Sequence, residues 1–157
     1  MHIYKMKEQD IPEIVDIWYE ASVQAHSFIP GSYWKKNREL MKSRYIPMSE
    51  TYLVKNGKAA IGFISLVDEY LGALFVRPEF QGKGVGSSLL NQAKTLRDTL
   101  HLKVFTKNIE SIEFYKKKGF SIISESKDEE TGENEYVMEW HRRNLKKHRP
   151  NIRGNSQ

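Results

Sequence analysis

The chain has 157 residues, which is enough for one domain with a substantial apolar core and too few for two ordinary domains. It contains no cysteine, which excludes a disulfide framework, a cysteine nucleophile and a thiolate metal site. The net charge of +5 is carried by the last 17 residues, which hold six of the 25 Lys and Arg and no acid, so that nucleic acid is an unexpected partner except through this tail.

The first half of the chain contains signals for both strands and helices. Strands are predicted at residues 2–6, 51–54, Ala59–Val67 and Tyr70–Val76, and helices at residues 11–25 and 32–45. Asp10 offers a side-chain cap for the first helix, and Pro12 suits its first turn. Asn56-Gly57 is a strong hairpin signal, because both residues tolerate the positive φ angles of a tight turn.

The second half predicts two further helices and three strands. The helices carry apolar stripes from Val85 to Leu100 and from Ile109 to Tyr115, and the strands are predicted at residues 102–106, 120–125 and 135–140. Asn108 can cap the second of these helices, and Gly119 can end it. The expected fold is a mixed α/β, mostly antiparallel central sheet with helices on both faces and one parallel βαβ unit.

The apolar segments of the chain indicate the cellular compartment that we expect for the protein. The first ten residues have no apolar signal core, and the longest apolar stretch, Ala59–Val67, is far shorter than the ~20 residues of a membrane-spanning helix. We therefore expect a cytoplasmic protein with no membrane partner, either a monomer or a homodimer. We expect residues 1–140 to form the domain and residues 141–157 to form a disordered basic tail.

The segment VRPEFQGKGVGSSLL places Gly82, Gly84 and Gly86 between a predicted strand and a predicted helix. Glycine lets a ligand approach the backbone closely, and the first N–H groups of a helix carry partial positive charge without internal partners. The pattern predicts a phosphate-binding site with Lys83 as a cation at its mouth. The alternative is a glycine-rich turn with only a packing role.

The spacing of these glycines narrows the kind of phosphate site. No Lys-Ser or Lys-Thr follows them, as a Walker loop requires, and the third glycine of a dinucleotide-binding fingerprint would fall on Ser87. The pattern that remains is QxxGxG, which begins at Gln81 and ends at Gly86.

A second motif, NIESIEFYKKKGF, runs from Asn108 to Phe120. On a helix, Asn108 and Tyr115 lie along one side, so that Tyr115 can point back towards the strand ends. A phenol in that position can act as a general acid. The alternative is a core tyrosine that packs beside Phe114.

Together the two motifs resemble those of the GCN5-related N-acetyltransferases (GNATs). Residues 81–86 match the family's [QR]xxGx[GA], and residues 108–120 match its NxxxxxFYxxxGF. The strand order fits from residue 2 to residue 140, and AHSFIPGSYW and YLGALFV look most like the small bacterial enzymes of YiaC/YjaB type. The resemblance implies an acyltransferase that moves the acetyl group of acetyl-coenzyme A, without a metal, to a protein lysine, an N-terminus or a small amine.

The resemblance also implies roles for individual residues. Backbone groups of Leu74, Phe75 and Val76, on a bulged strand, would pair with the pantetheine arm of the cofactor and polarise the acetyl carbonyl. The diphosphate would be held by the residues of the glycine-rich turn, which are Gln81, Gly82, Lys83, Gly84, Val85, Gly86 and Ser87. Asn108 would touch the cofactor arm, and Tyr115 would protonate the departing thiolate.

The attacking amine must also lose a proton. Glu69, at the start of the bulged strand, can act as a base through water, and His26, in the loop after the first helix, is another candidate. Asp68, Glu69 and Tyr70 together can attract a cationic amine. The alternatives are a solvated strand end for Asp68 and Glu69 and ordinary loop packing for His26.

Two other functions stay open at the level of the sequence. One is a binding module that senses acetyl-coenzyme A and docks on nucleic acid or an acidic partner, where the six Lys and Arg of the tail would give salt-sensitive attachment. The other is a structural α/β domain with no bound cofactor. Catalysis that survives removal of residues 141–157 would favour the acetyltransferase over the binding module, and a failure to bind acetyl-coenzyme A would support the structural domain.

Overall fold

The computed structural model describes residues 1–143, which form two compact units, residues 1–93 and the residues from 94 onward. From residue 144 on, the predicted basic tail lies outside the described residues. The first residues of that tail belong to the second unit. His141 ends a strand, and the Arg142 N–H donates to the Asp98 carbonyl at 2.7 Å.

The first unit contains an antiparallel sheet of β1 Ile3–Lys5, β2 Glu50–Asn56, β3 Ala59–Val67 and β4 Tyr70–Val76, paired in that order. β3 pairs with a strand on each side, and its residues 60–66 are all buried. The predicted β2–β3 hairpin is confirmed, with Gly57-Lys58 as its two-residue turn. Only Gly57 takes a positive φ, of +67°, while Asn56 stays in the strand.

Two helices, α1 Ile11–Ala25 and α2 Gly31–Leu40, lie between β1 and β2, and a π-helical turn, Met41–Tyr45, follows α2. α1 packs against β3 and β4 through an apolar side on which Ile14 and Ile17 are 0% exposed. Asp10 precedes α1 as predicted, but it does not cap that helix. Its carboxylate accepts the Lys7 N–H at 2.8 Å and so closes the 3-10 turn before α1.

The connection from α1 to α2 is an aromatic cluster around His26, which is 7% exposed. The imidazole stacks on Trp34 with ring centroids 5.1 Å apart and meets the ring of Phe28 edge-on at 5.8 Å. Its Nδ1 lies 3.1 Å from the carbonyl of Ser22, one turn back on α1. Burial lowers the pKa of His26, and the smaller opposing effect of the hydrogen bond to Ser22 raises it. The cluster therefore favours a neutral imidazole at the end of α1.

A third helix, α3 Val85–Leu96, begins against β3 at Gly62. A Cβ atom on Gly62 would lie 2.9 Å from Val85 Cγ1 and 3.2 Å from the carbonyl oxygen of Phe75. Contacts that short are repulsive, so only glycine lets the first turn of α3 lie this close to the sheet.

The second unit is built from β5 Thr99–Phe105, α4 Ile109–Lys117, β6 Ser121–Lys127 and β7 Asn134–His141. β7 pairs antiparallel with β5 and with β6. The predicted extension of α3 to Leu100 is wrong, because α3 ends at Leu96 and Leu100 lies on β5. There it alternates with Leu102 and Val104, which are also buried, so a period of two explains its burial.

We expect Gly62→Ala to lower the free energy of unfolding by about 1–3 kcal/mol, because the new methyl group overpacks the contact with Val85. Gly31→Ala is the matched control, since a Cβ atom there meets nothing within 4 Å. Urea unfolding of both variants measures the difference. Equal stability of the two variants would contradict the close contact between α3 and β3.

The lowered pKa of His26 makes stability depend on pH. The unfolded chain binds a proton near the ordinary value of 6.5, whereas the folded protein binds it only at lower pH, so stability is lost as the pH falls below 6.5. We expect the free energy of unfolding to fall less steeply between about pH 7.5 and about pH 5.5 in His26→Gln than in the wild type. Denaturant titrations across this range test the expectation, and identical slopes would refute it.

Candidate functional site

The glycine-rich turn is an exposed loop at the start of α3. A 3-10 turn, Pro78–Phe80, follows β4, and residues 81–84 then lead into the helix, which begins at Val85. Gly82 and Gly84 have φ angles of +76° and +87°, which side chains other than glycine adopt only with strain. Gly86 was expected between the strand and the helix, but it is the second residue of α3.

The first turn of α3, which follows the loop, contains backbone donors without a helical partner. The Ser88 N–H donates to the Gly84 carbonyl at 3.0 Å, which starts the hydrogen-bond ladder of α3. The N–H groups of the three preceding residues, 85–87, have no partner one turn back in the helix, and they carry the positive end of its dipole. A Cβ atom on Gly82 or Gly84 would meet nothing within 4 Å, so an anion has room to approach.

Lys83 adds a cation beside these donors. Its Nζ lies 5.5 Å from the centroid of the Phe80 ring, within the range of a cation–π contact. Lys83 is exposed, so its ammonium group stays in water while the ring limits its motion. The loop therefore carries a positive charge, which an incoming phosphate would meet.

Gln81, the first residue of the QxxGxG pattern, connects the loop to two other elements. Its Nε2 donates to the Val76 carbonyl at 2.9 Å, at the end of β4, and lies 3.3 Å from Gln24 Oε1 on α1. No local pattern in the sequence indicates Gln24 as a partner of Gln81, because the two residues are 57 positions apart. The same holds for Gly62, whose importance depends on a contact with Val85.

β4 carries a bulge, as the resemblance implied. Ser65 of β3 pairs with Ala73, and the next residue, Leu66, pairs with Leu71, so that Gly72 has no partner on β3. An extra residue bends a strand and disrupts the ladder locally. The bulge therefore lies in the strand that leads to the glycine-rich loop.

The three residues expected to contact the cofactor arm follow this bulge. Leu74, Phe75 and Val76 return to regular pairing with β3 and are half-buried. The ring centroids of Phe75 and Phe63 are 6.0 Å apart, which fixes this part of β4 on its neighbour. The backbone from Leu74 to Val76 is thus continuous with the bulge on one side and the loop on the other.

Asp68 and Glu69 lie at the opposite end of β4 from the loop. They form the two-residue turn between β3 and β4, where Asp68 has a φ of +53° and both side chains are exposed. The seven residues of β4 separate them from the loop by about 23 Å of extended backbone. Tyr70 starts the strand, and its Cε2 lies 3.7 Å from the position of a Cβ atom on Gly72, so its ring leans over the bulge.

His26, the other candidate base, is held by its neighbours. Its burial against Trp34 and Phe28 agrees with the packing alternative drawn from the sequence. Reaching a substrate would require the ring to leave this cluster.

The second unit contains Asn108 and Tyr115. Asn108 Oδ1 accepts the Ser111 N–H at 3.3 Å, which confirms the predicted cap of α4. Tyr115 is 8% exposed, and its ring meets those of Phe114 and Phe120 edge-on at 5.3 and 5.4 Å. This packing fixes the direction of the phenol. A fixed direction agrees with a core residue and with a proton donor alike.

Within residues 1–143, no group of three or more His, Cys, Asp or Glu side chains could hold a metal ion. None of the helices in this range is long and apolar enough to cross a membrane. A cavity of about 390 Å³ is lined by Lys5, Met6, Met48, Ser49, Glu50 and Thr51, and none of these is a predicted site residue.

Comparison with known proteins matches residues 47–122 to the acetyltransferase (GNAT) domain family. The chain is also 27% identical over 139 residues to the peptidyl-lysine N-acetyltransferase YiaC of Escherichia coli (strain K12), a match that covers 88% of the chain and 95% of the relative.

Solved structures share its fold. The apo form of YjaB from Escherichia coli superposes with a TM-score of 0.78 at 25% identity, covering 88% of this chain and 96% of YjaB. The PaiA N-acetyltransferase of Thermoplasma acidophilum, solved in complex with coenzyme A, superposes with a TM-score of 0.75 at 19% identity, covering 89% of this chain and 98% of PaiA.

These matches confirm the fold class that the sequence predicted, a GNAT-like mixed α/β fold flanked by helices. They also confirm the assignment to the acyltransferases, and acetyl-coenzyme A as the co-substrate typical of the family. A glycine-rich pattern on an open loop, a bulged strand before it, a family model that matches residues 47–122 and relatives that align over most of their length all agree, and the chain resembles the GCN5-related N-acetyltransferases.

Proposed function

We propose that this protein transfers the acetyl group of acetyl-coenzyme A directly to an amine, with a lysine side chain of a protein or peptide as the preferred acceptor. The observation that carries the proposal is the exposed loop of residues 81–84, with its two positive-φ glycines beside the unpaired N–H groups of α3. Such a loop suits a diphosphate, the anionic group that coenzyme A would present to it.

Coenzyme A would extend from this loop along β4. Its pantetheine arm separates the diphosphate from the thioester, so a diphosphate at α3 puts the thioester farther back along the strand, towards Gly72. Backbone groups of Leu74, Phe75 and Val76 would pair with the arm, and an N–H donor would stabilise the negative charge that develops on the acetyl oxygen. PaiA, which has the same fold, was solved with coenzyme A, which supports coenzyme A as the ligand.

The amine would attack the thioester without a covalent enzyme intermediate. Direct attack needs no enzyme nucleophile, which agrees with a chain that has no cysteine. The name of the relative YiaC, a peptidyl-lysine N-acetyltransferase, supports lysine as the acceptor. The exposed acidic turn of Asp68 and Glu69, with Tyr70 beside it, would attract a cationic side chain.

Two protons have to move during the transfer. We assign deprotonation of the amine to Glu69 through water, because Glu69 is exposed whereas His26 is buried against Trp34 and Phe28. The thiolate of coenzyme A gains a proton as it departs. We assign that proton to Tyr115, whose match to the family motif and fixed ring direction support a general acid.

The reaction is tested by mixing the full-length protein with acetyl-coenzyme A and a panel of acceptors, namely lysine peptides, peptides with a free N-terminus and small polyamines. Release of free thiol reports turnover. We expect the fastest release with lysine peptides. Binding of acetyl-coenzyme A without turnover on any acceptor would instead support the binding module, and no binding at all would support a structural domain.

Gly84→Glu should abolish binding of acetyl-coenzyme A, because the new carboxylate would repel the diphosphate and the side chain would strain a φ of +87°. Isothermal titration of the variant measures the loss.

Gly57→Glu is the matched control. It puts the same side chain at a positive-φ glycine, again with nothing within 4 Å, in the β2–β3 turn. The control should bind acetyl-coenzyme A as the wild type does. Equal affinity of the two variants would contradict the placement of the diphosphate.

Tyr115→Phe should lower kcat by about 10²- to 10⁴-fold and leave the Kd for acetyl-coenzyme A unchanged, because the phenol acts only when the thiolate departs. Steady-state kinetics and titration provide the two values. Tyr136→Phe, the same chemical change on β7, is the control and should keep the kcat of the wild type. Wild-type turnover in Tyr115→Phe would remove this residue from the mechanism.

A further inference from the structure

Two side chains on one face of α1 contact the segment that leads into the glycine-rich loop. Glu20 and Gln24 are four residues apart and therefore lie one above the other on the helix. Glu20 Oε2 accepts a hydrogen bond from Arg77 Nη1 at 3.0 Å, and Gln24 Oε1 accepts one from Gln81 Nε2 at 3.3 Å. The two contacts join α1 to both ends of the short connection from residue 77 to residue 81.

Arg77 also binds the sheet. Its Nε donates to the Ala60 carbonyl at 2.9 Å, and its backbone N–H donates to the Ile61 carbonyl at 2.8 Å. Its guanidinium thus contacts β3 with one nitrogen and α1, through Glu20, with another. The start of the connection is therefore fixed from two sides.

Gln81 fixes the other end in a similar way. A side-chain amide has two N–H donors on one nitrogen, and here that nitrogen contacts both the Val76 carbonyl, at 2.9 Å, and Gln24 Oε1, at 3.3 Å. The oxygen of Gln24 thereby selects the orientation of the Gln81 amide. The next three residues, 82–84, are exposed, and Gln81 is the residue whose side-chain hydrogen bonds hold the chain just before them.

We propose that Glu20 and Gln24 are positioning residues for the diphosphate, acting through Arg77 and Gln81, an inference that rests on the proposed function. They touch no substrate. They hold the connection that aims the loop, so that its N–H groups point to one place before the cofactor arrives. A loop that lacks these contacts samples more orientations, and the cofactor must then order it at the expense of affinity.

The contacts act on binding more than on folding. Glu20, Gln24 and Gln81 are exposed, and single exposed hydrogen bonds and ion pairs contribute little to global stability. We therefore expect variants at these positions to fold normally. The loss of one such contact should weaken binding of acetyl-coenzyme A about three- to tenfold.

The test compares Gln24→Met, which keeps the length of the side chain and removes the acceptor, with Val23→Met. Val23 is the adjacent residue on α1, is 39% exposed and is not one of the α1 residues that hold the loop connection. For the full-length variants, titration gives the Kd for acetyl-coenzyme A, kinetics separates kcat from KM, and thermal unfolding gives Tm.

We expect Gln24→Met to raise the Kd and the KM for acetyl-coenzyme A about three- to tenfold, with kcat and Tm equal to those of Val23→Met. Glu20→Met should behave similarly, and Glu20→Gln, which keeps an acceptor oxygen, should recover most of the affinity. Gln81→Met should mask the effect of Gln24→Met, so that the double variant binds no more weakly than Gln81→Met alone.

Different results would overturn the proposal. Equal Kd values for Gln24→Met and Val23→Met would exclude a positioning role, and so would a lower Tm at an unchanged Kd, which marks a purely structural contact. A wild-type protein that does not bind acetyl-coenzyme A would refute the proposed function, and this inference with it. Wild-type binding with unaffected variants would refute this inference alone.

Discussion

The close contact between α3 and β3 is the constraint on which the site in the first unit depends. A helix can present unpaired N–H groups only at its first turn, so the location of that turn decides where an anion can bind. Here Gly62 removes the side chain that would otherwise separate Val85 from the sheet. Because Gly62 pairs with Val76, the start of α3 lies beside the end of β4, and the positive-φ residues Gly82 and Gly84 come directly before it.

Catalysis of this kind needs little from side chains and much from backbone geometry. The residues expected to hold the cofactor contribute mainly N–H and C=O groups, whose direction is set by strand pairing, by the bulge and by the first turn of a helix. Side chains such as Gln81 and Arg77 act on that geometry indirectly, through hydrogen bonds to carbonyls. The backbone of such a site is therefore held by the strand pairing and the helix start that also belong to the fold, and the side-chain contacts of Gln81 and Arg77 add to that geometry.

Local features of the chain were predictable, and long-range ones were not. The bounds of β3 and β4, the hairpin at Gly57 and the cap at Asn108 follow from alternation and turn chemistry within a few residues. The end of α3 was missed because Leu100 fits a helical stripe and a strand equally well until its neighbours Leu102 and Val104 are paired. The contact of Gln24 with Gln81 spans 57 residues and leaves no local trace.

The motif residues show the same division. The loop glycines could be identified from the sequence, because a positive φ angle favours glycine at the very position that adopts it. Glu69 was expected at a strand start and lies in a turn, because where a tight turn begins depends on how the two strands pair. The sequence left two interpretations of His26 open, a candidate base and ordinary loop packing. Its stacking on Trp34, which the sequence does not reveal, favours packing.

The bulge at Gly72 makes β4 sensitive to its length. One extra residue on this strand offsets the alternation of inward and outward side chains, so that Leu74, Phe75 and Val76 keep their faces only while that residue is present. Substitutions along β4 alter one contact each. A single-residue deletion would turn over every position after it, so during evolution this strand can change its composition far more easily than its residue count.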